Sequence, residues 1–260
     1  MKKLLAVLLV SLVFTSVSFA DSSWKNTKKA GVMVIGLDDA FPPMGFRVEN
    51  GTLKGFDIDI AEETGKRLGI KIKWQPTAWD GVIHSLNAKK FDCIWNGMTI
   101  TDERAKQVSF SKPYIMDGQV VVVRFDEKRF KNLKDLGGMI IGVQKGSSAV
   151  SAVKKLPSKP AELKEYNDNP KALLDLESKR IDAVIIDNVV GRYTVAKRLG
   201  SFKTLPVFIS KEPFGIAFRK TDLSLKEKIQ SAIDSMVKDG TMTRYSKKWF
   251  GEDITDPSKW

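Results

Sequence analysis

Short runs of β-branched and apolar residues alternate with helical segments along this chain, and that alternation restricts its fold more than any other feature. The runs Val32–Leu37, 93–98 and 183–186 are typical of buried strands. The segments 58–68 and Leu223–Lys238 have the residue pattern of helices. Because strands that alternate with helices form sheets covered by helices, the sequence predicts an α/β fold.

Further segments complete the predicted pattern. Residues 120–124 and 216–219 are predicted as strands, and residues 102–108 as a helix. Asn169-Pro170 is predicted to open another helix, with Asn169 as the capping residue and the proline at the first helical position. The pattern restarts in the middle of the chain, which suggests that a second lobe begins there.

The first twenty residues are predicted to be a cleaved signal peptide. Lys2 and Lys3 precede an apolar stretch over residues 4–14, and Ser18-Phe19-Ala20 offers small residues where a signal peptidase reads. An uncleaved anchor is the disfavoured alternative. No cysteine stands directly after the apolar stretch, so a lipid anchor at the mature N-terminus has no thiol to use. A free exported protein needs an outer membrane to retain it, which favours the periplasm of a Gram-negative cell.

The cysteine content and the charge restrict the class of protein further. Cys93 is the only cysteine, so no internal disulfide can form and the fold depends on its core. Its apolar neighbours predict a buried, unreactive thiol. The formal net charge is +12, but the lysines are scattered among acidic residues and no arginine-rich or basic–aromatic run stands out. The charge therefore indicates a solvated surface and does not indicate nucleic-acid binding.

The residue types that enzymes and metal sites require are scarce. His84 is the only histidine and lies in a predicted helix, so neither a zinc site nor a Cys–His pair is expected. No phosphate-binding loop, dinucleotide-binding glycine motif or Gly-x-Ser-x-Gly motif occurs. Asp57 and Asp59 are interpreted as residues of a strand or a helix start, where solvation or the helix dipole accounts for them. We expect no metal, no cofactor and no catalytic residue.

Polar and aromatic side chains follow several predicted strands, at the ends where open α/β sheets bind ligands. Together they match a zwitterion: Arg104 can hold a carboxylate with two parallel hydrogen bonds, and Asp187 can accept from an ammonium. Backbone amides at 97–99 and 146–148 would add donors. The candidate ligand-binding residues are Asp38, Phe41, Trp79, Asn96, Gly97, Met98, Thr99, Arg104, Gln144, Ser147, Ser148 and Asp187.

Many of these candidates lie in motifs that resemble one protein family. The motifs are DDAFPPMGF at 38–46, GFDIDI at 55–60, NGMTITDER at 96–104, GVQKGSS at 142–148 and RIDAVIID at 180–187. In this order, and over nearly the whole mature chain, the sequence resembles the extracellular solute-binding proteins that carry polar amino acids to ABC transporters.

The resemblance implies an α/β, two-lobed periplasmic binding protein of type II, the Venus-flytrap arrangement, with two crossover strands. After a signal peptide over residues 1–20, lobe 1 would comprise residues 21–117 and 213–260, and lobe 2 residues 118–212. The implied protein is a monomer that binds a free amino acid in the periplasm. It would close around that ligand by a hinge motion and pass it to an inner-membrane ABC permease.

The resemblance also implies a role for each candidate. Arg104 would hold the ligand carboxylate, helped by Thr99, the Gly97 backbone and Ser148. Asp187 would take the α-ammonium. Phe41 and Trp79 would enclose the ligand side chain, and Asp38, Asn96 and Gln144 would be the candidates for its polar end. A carboxylate at that end favours a basic amino acid or glutamine over glutamate.

An enzyme on the same fold is the main alternative. Cyclohexadienyl or arogenate dehydratases resemble this family, and in their pattern a catalytic acid follows the second-lobe aspartate by three residues. Val190 occupies that place here and cannot donate a proton. A ligand-sensing receptor domain is a second alternative, but it would need a membrane helix and a signalling module that this sequence does not contain.

Overall fold

The computed structural model describes residues 21–260, so the signal peptide predicted over residues 1–20 lies outside the described residues. These residues form a large and a small β-sheet. The large sheet contains β1 (Val32–Leu37), β5 (Lys71–Pro76), β6 (Cys93–Thr99), β7 (Ser109–Phe110), β8 (Ile115–Arg124), β9 (Ile140–Gln144), β10 (Glu162–Tyr166), β11 (Ala183–Asp187) and β12 (Phe202–Phe218). The small sheet contains β2 (Ala40–Phe41), β3 (Gly45–Arg47) and β4 (Leu53–Lys54).

Helices follow or precede most strands of the large sheet. In the described part of the chain the α-helices are α1 (Ser23–Ala30), α2 (Phe56–Leu68), α3 (Val82–Asn87), α4 (Asp102–Ala105), α5 (Ser148–Val153), α6 (Asn169–Glu177), α7 (Asn188–Lys197), α8 (Leu223–Lys238) and α9 (Thr241–Phe250). Single 3-10 turns occur at Trp79–Gly81, Leu133–Leu136 and Pro257–Lys259. None of the helices among residues 21–260 is long and apolar enough to cross a membrane.

The large sheet consists of two parallel halves with a long antiparallel pair between them. Its strand order is β10-β9-β11-β8-β12-β6-β1-β5, and β7 pairs with β12 beside this path. In the first half β5 and β6 run parallel to β1, and in the second half β10 and β11 run parallel to β9. The strands β8 and β12 are antiparallel to each other and to their outer neighbours β11 and β6. The two long strands therefore connect the halves.

Each half of the sheet has an apolar core. Ile35 of β1, Trp95 of β6 and Ile229 of α8 are fully buried in a cluster that supports the first half and extends under the second. Ile141 of β9 and Ile185 of β11 lie in a separate cluster on the second half. Burying such side chains contributes about 1.5–3 kcal/mol each relative to exposure. The strand ends between these cores are thereby held at fixed positions.

The prediction of an α/β fold is confirmed, and so are the bounds of β1 and α8. Cys93 is fully buried, and burial raises the pKa of its thiol well above the usual value, as expected for an unreactive cysteine. His84 is exposed on α3.

Three predictions of local structure are wrong for identifiable reasons. The helix predicted over 102–108 ends at Ala105, because the chain must enter β7 at Ser109, which pairs with Phe218. The strand predicted over 216–219 is the end of the much longer β12, whose Pro206 and Pro213 interrupt the strand pattern. The cap of α6 is Asp168, which accepts from the Lys171 amide at 2.9 Å, and Asn169 is already helical.

Candidate functional site

Strand ends from both halves of the large sheet meet around one small cavity. Asn96, Gly97 and Thr99 come from the end of β6, and Asp187 from the end of β11. The carboxyl ends of parallel strands are the usual binding edge of an open α/β sheet. The residues that line the cavity are Phe41, Trp79, Asn96, Gly97, Thr99, Arg104, Gln144, Ser147, Ser148 and Asp187.

Ten of the twelve predicted ligand-binding residues therefore line the same cavity. Asp38 does not line it, but its carboxylate accepts from Gln144, which does. Met98 lies outside: its side chain is buried in an apolar cluster with Trp79 and Val82.

Arg104 lies at one end of the cavity with its charge buried and without an anionic partner. Its side chain is nine-tenths buried; Nη1 donates to the Thr99 carbonyl at 2.9 Å and Nη2 to the Gly146 carbonyl at 3.1 Å. Within residues 21–260, no carboxylate lies within 4.0 Å of this guanidinium. Burial lowers the pKa of Arg104, while the negative charges of Asp187 and Glu212 oppose that shift. The remaining N–H groups suit the two oxygens of a carboxylate.

Asp187 lies at the end of β11 and is buried in the part of the cavity that also contains Arg104. Its Oδ1 accepts from Nε2 of Gln119 at 2.8 Å. Burial raises the pKa of Asp187 well above its usual range, and the charges of Asp117 and Glu212 raise it further. A carboxylate in this position gains by binding a cation, because a cation compensates for the water that burial removes.

Gln119, Glu212 and Asp117 lie beside Asp187, and none of them was predicted. Gln119 lies on β8, fully buried, and its Nε2 is also 3.2 Å from Ser148 Oγ and 3.1 Å from Glu212 Oε2. Glu212 lies on β12 directly opposite Asp117 on β8. Burial raises the pKa of Asp117 to about 7, despite hydrogen bonds from the Val189 amide and Asn188. Sequence reasoning missed these residues because strands β8 and β12 were predicted too short.

Two groups that were predicted to donate hydrogen bonds to the ligand carboxylate already donate to carboxylates of the protein. The Gly97 amide donates to Asp57 Oδ2 at 2.7 Å, so it is not free to hold a ligand oxygen. The Thr99 hydroxyl lies 2.9 Å from Glu212 Oε2, and an ionised carboxylate only accepts, so the hydroxyl hydrogen points to Glu212. Thr99 consequently presents oxygen lone pairs to the cavity.

Asp57 supports the wall of the cavity; it lies at a helix start, as one of the two interpretations of the sequence had it, but it is buried and not solvated. It is fully buried at the start of α2 and accepts from the Tyr114 hydroxyl at 3.1 Å as well as from the Gly97 amide. Gly97 has φ +55, and a Cβ there would lie 2.9 Å from the Phe41 ring, so only glycine fits. Burial raises the pKa of Asp57 to about 7.

A separate polar cluster of the cavity wall is built around Asp38. Gln144 Nε2 donates to Asp38 Oδ2 at 2.6 Å, and Asn96 Oδ1 accepts from the Asp38 amide at 3.0 Å. Asn169, which the sequence did not indicate, donates to Gln144 Oε1 at 3.3 Å. Burial raises the pKa of Asp38, while hydrogen bonds from Ala40 and Gln144 lower it.

Direct contacts join the two halves of the sheet around the cavity. Besides the Gln144–Asp38 bond, Thr99 Oγ1 lies 3.1 Å from Ser148 Oγ, and Lys145 Nζ lies 2.9 Å from Asp80 Oδ2. The cavity is thus enclosed from both sides. No group of three or more His, Cys, Asp or Glu side chains suited to a metal ion occurs among residues 21–260.

An enclosed cavity between two α/β units, with an arginine and an aspartate at one end, defines a solute-binding protein of the two-lobed class. The family model of the bacterial extracellular solute-binding proteins, family 3, matches residues 33–252. The chain belongs to this family, whose members serve ABC transporters.

Known amino-acid-binding proteins are similar over most of the chain. The L-cystine-binding protein TcyJ of Escherichia coli K12 is 34% identical over 97% of this chain and 96% of its own length. The L-arginine-binding protein of Pseudomonas aeruginosa is 32% identical over 85% of this chain and 88% of its own length. A substrate-binding protein of an ABC uptake transporter from Streptococcus pneumoniae, solved with bound histidine, superposes with a TM-score of 0.86 at 35% identity, covering 91% of this chain and 98% of that one.

Proposed function

We propose that this protein is the periplasmic substrate-binding component of an amino-acid ABC transporter and binds a free polar L-amino acid between its two lobes. The observation that carries the proposal is the buried Arg104 guanidinium, which has no carboxylate partner and lies at the same end of the cavity as Asp187. An α-carboxylate and an α-ammonium on one carbon would satisfy both groups.

In this proposal lobe 1 comprises residues 21–117 and 213–260, and lobe 2 comprises residues 118–212. The supporting observation is that β8 and β12 are the two strands that connect the halves of the large sheet. Asp117 and Glu212, which face each other on these strands, would then lie in the hinge. The residues 1–20 would direct the chain to the periplasm and be removed.

The ligand carboxylate would bind to Arg104 and to Ser148, whose position at the start of α5 offers a hydroxyl. The ammonium would bind to Asp187 and to the Thr99 oxygen, whose lone pairs face the cavity. Phe41 and Trp79 would enclose the side chain between apolar walls.

The side chain of the ligand would end near Asp38, Gln144 and Asn96. A buried carboxylate there favours a guanidinium, an ammonium or an amide, so we infer a basic amino acid or glutamine and not glutamate. Arginine is what the P. aeruginosa relative binds by name, and cystine is what TcyJ binds, so both belong in a test.

Closure of the hinge would follow from the division of the site between the lobes. Arg104 belongs to lobe 1 and Asp187 to lobe 2, so one ligand contacts both only when the lobes are together. A ligand shifts a conformational equilibrium by its difference in affinity for the two states, and here only the closed state offers both contacts.

A thermal-shift screen of the mature protein, from Asp21 onward, tests the proposal. The protein is first unfolded and refolded to remove bound ligand, then mixed with arginine, lysine, histidine, glutamine, glutamate or cystine. At a hundredfold excess over Kd, binding adds about 2.7 kcal/mol to the unfolding free energy, which raises Tm by a few degrees. No rise with any amino acid would contradict the proposal.

The dehydratase alternative is tested by adding prephenate to the protein. Val190, at the place of the catalytic acid, is buried in the apolar cluster that supports the first half and extends under the second, and it provides no proton donor. We therefore expect no phenylpyruvate from prephenate, and its formation would favour the enzyme.

A further inference from the structure

Glu212 is a buried carboxylate that contacts residues of the candidate site but does not itself line the cavity. It is 7% exposed and lies on β12, with Asp117 as its partner on β8. Its Oε1 accepts from Ser210 Oγ at 2.7 Å, and its Oε2 from Thr99 Oγ1 at 2.9 Å and from Gln119 Nε2 at 3.1 Å. Within the described residues no lysine or arginine nitrogen lies within 4.0 Å of it.

These contacts fix the direction of two hydrogen-bond donors. The Thr99 hydroxyl has one hydrogen, and Glu212 accepts it. The Nε2 atom of Gln119 lies within hydrogen-bond distance of oxygens of Glu212, Asp187 and Ser148, so both of its hydrogens are donated to these oxygens. As a result, Thr99 and Asp187 present acceptors at this end of the cavity. The Ser148 hydroxyl, 3.1 Å from Thr99 Oγ1, carries the remaining hydrogen, which can turn to Thr99 or to the ligand carboxylate.

We propose that Glu212 is a positioning residue that makes this end of the cavity selective for an α-ammonium, by holding the Thr99 hydroxyl and the Gln119 amide so that Thr99 and Asp187 offer the ligand only acceptors. The inference rests on the proposed function. An ammonium offers three N–H donors and no acceptor, so it matches such an end completely. A hydroxyl in the same place has a single donor and leaves acceptors unpaired, which costs affinity.

Replacing Glu212 by glutamine would remove this selectivity with little change in shape. The new amide can donate to Thr99 Oγ1, which frees the Thr99 hydrogen to turn towards the cavity and oppose an ammonium. The loss should therefore depend on the α-substituent of the ligand. If Glu212 had only a structural role, its replacement would lower the affinity for an amino acid and for its α-hydroxy analogue equally.

The test compares L-arginine with argininic acid, its α-hydroxy analogue, by isothermal titration of the mature protein. If the screen identifies another amino acid, that amino acid and its α-hydroxy analogue replace the pair. For Glu212→Gln we expect affinity for the amino acid to fall about 10- to 100-fold, and affinity for the hydroxy acid to change by less than about threefold. Glu127→Gln is the matched control, because Glu127 is equally buried but pairs with Arg129 in lobe 2. It should bind as the wild type does.

A second pair of variants tests the path through Thr99. Thr99→Ser keeps the hydroxyl and should retain selectivity for the amino acid, whereas Thr99→Val should lose it. In the double variant with Glu212→Gln, the losses should be less than additive, since both changes remove one interaction. If Glu212→Gln does not fold, the comparison of Thr99→Ser with Thr99→Val alone tests the inference.

Three results would overturn the inference. They are equal loss for both compounds, no loss for either, and additive losses in the double variant. A wild type that binds no amino acid would instead refute the proposed function itself, so the two failures are distinguishable.

Discussion

The Arg104 guanidinium lies over the indole ring of Trp79, with its Cζ atom 5.7 Å from the ring centroid. Both side chains are nine-tenths buried, and both line the cavity. A cation over an aromatic face gains electrostatic attraction, more so when water is excluded. Trp79 therefore stabilises the charge of Arg104 at close range, where no carboxylate of the described chain lies within 4.0 Å.

Arg104→Ala should abolish amino-acid binding without unfolding the protein. The variant removes the group proposed to hold the α-carboxylate, so we expect affinity to fall by at least about 100-fold, or about 2.7 kcal/mol. Calorimetric titration measures the loss, and circular dichroism checks the fold. Arg104→Lys is the control: it keeps the charge but not the two parallel donors, and should bind weakly. Retained affinity in Arg104→Ala would remove this residue from the site.

Binding of the α-ammonium should release a proton. Burial raises the pKa of Asp187, whereas a bound ammonium favours the ionised form and so lowers that pKa. Affinity should therefore rise with pH until Asp187 is ionised in the free protein. Titrations in buffers of different ionisation enthalpy count the released protons. In Asp187→Asn this pH dependence should disappear and affinity should fall about 100-fold; unchanged proton release would contradict the assignment.

Much of the candidate site follows from the sequence because its residues stand directly after strands. Asp38 follows β1, Gln144 ends β9 and Asp187 ends β11, and the sheet brings these ends together whatever the details of packing. The alternation of strands and helices is also a local pattern, so it predicts the α/β fold well.

The supporting residues could not be predicted in the same way. Gln119 and Glu212 lie on strands that cross between the halves, and their closeness depends on the register of β8 with β12, which no local pattern contains. Asp57 resembles a solvated helix-start residue, and only the packing of α2 against β6 and Tyr114 places it in the interior. In each case, contacts between residues far apart in the sequence determine where the side chain lies.

Stability should depend on pH through Asp57. Its pKa is about 7 in the folded protein and near the ordinary 3.8 when unfolded, so between these values the folded state holds one more proton. The unfolding free energy should therefore fall as pH rises through this window, by about 1.4 kcal/mol per pH unit for one proton. Asp57→Asn should lose this contribution to the slope, while Asp117, whose pKa burial also raises to about 7, keeps its own. Urea unfolding of both proteins at several pH values within the window measures it, and parallel curves would contradict the buried carboxylate.

The polar end of the cavity should decide which amino acid binds, and Asp38→Asn tests this. Asparagine keeps the size and the acceptor for Ala40, whose amide donates to Asp38 Oδ1 at 2.9 Å, but removes the negative charge. A basic ligand would lose its charge partner, so affinity for arginine should fall about 10- to 100-fold, whereas affinity for glutamine should change little. Gln144→Glu, which places a second carboxylate beside Asp38, should act in the opposite direction and favour arginine over glutamine. Competition titrations with arginine and glutamine measure both ratios. If Asp38→Asn weakened both amino acids equally, Asp38 would support the cavity wall without reading the ligand's side chain.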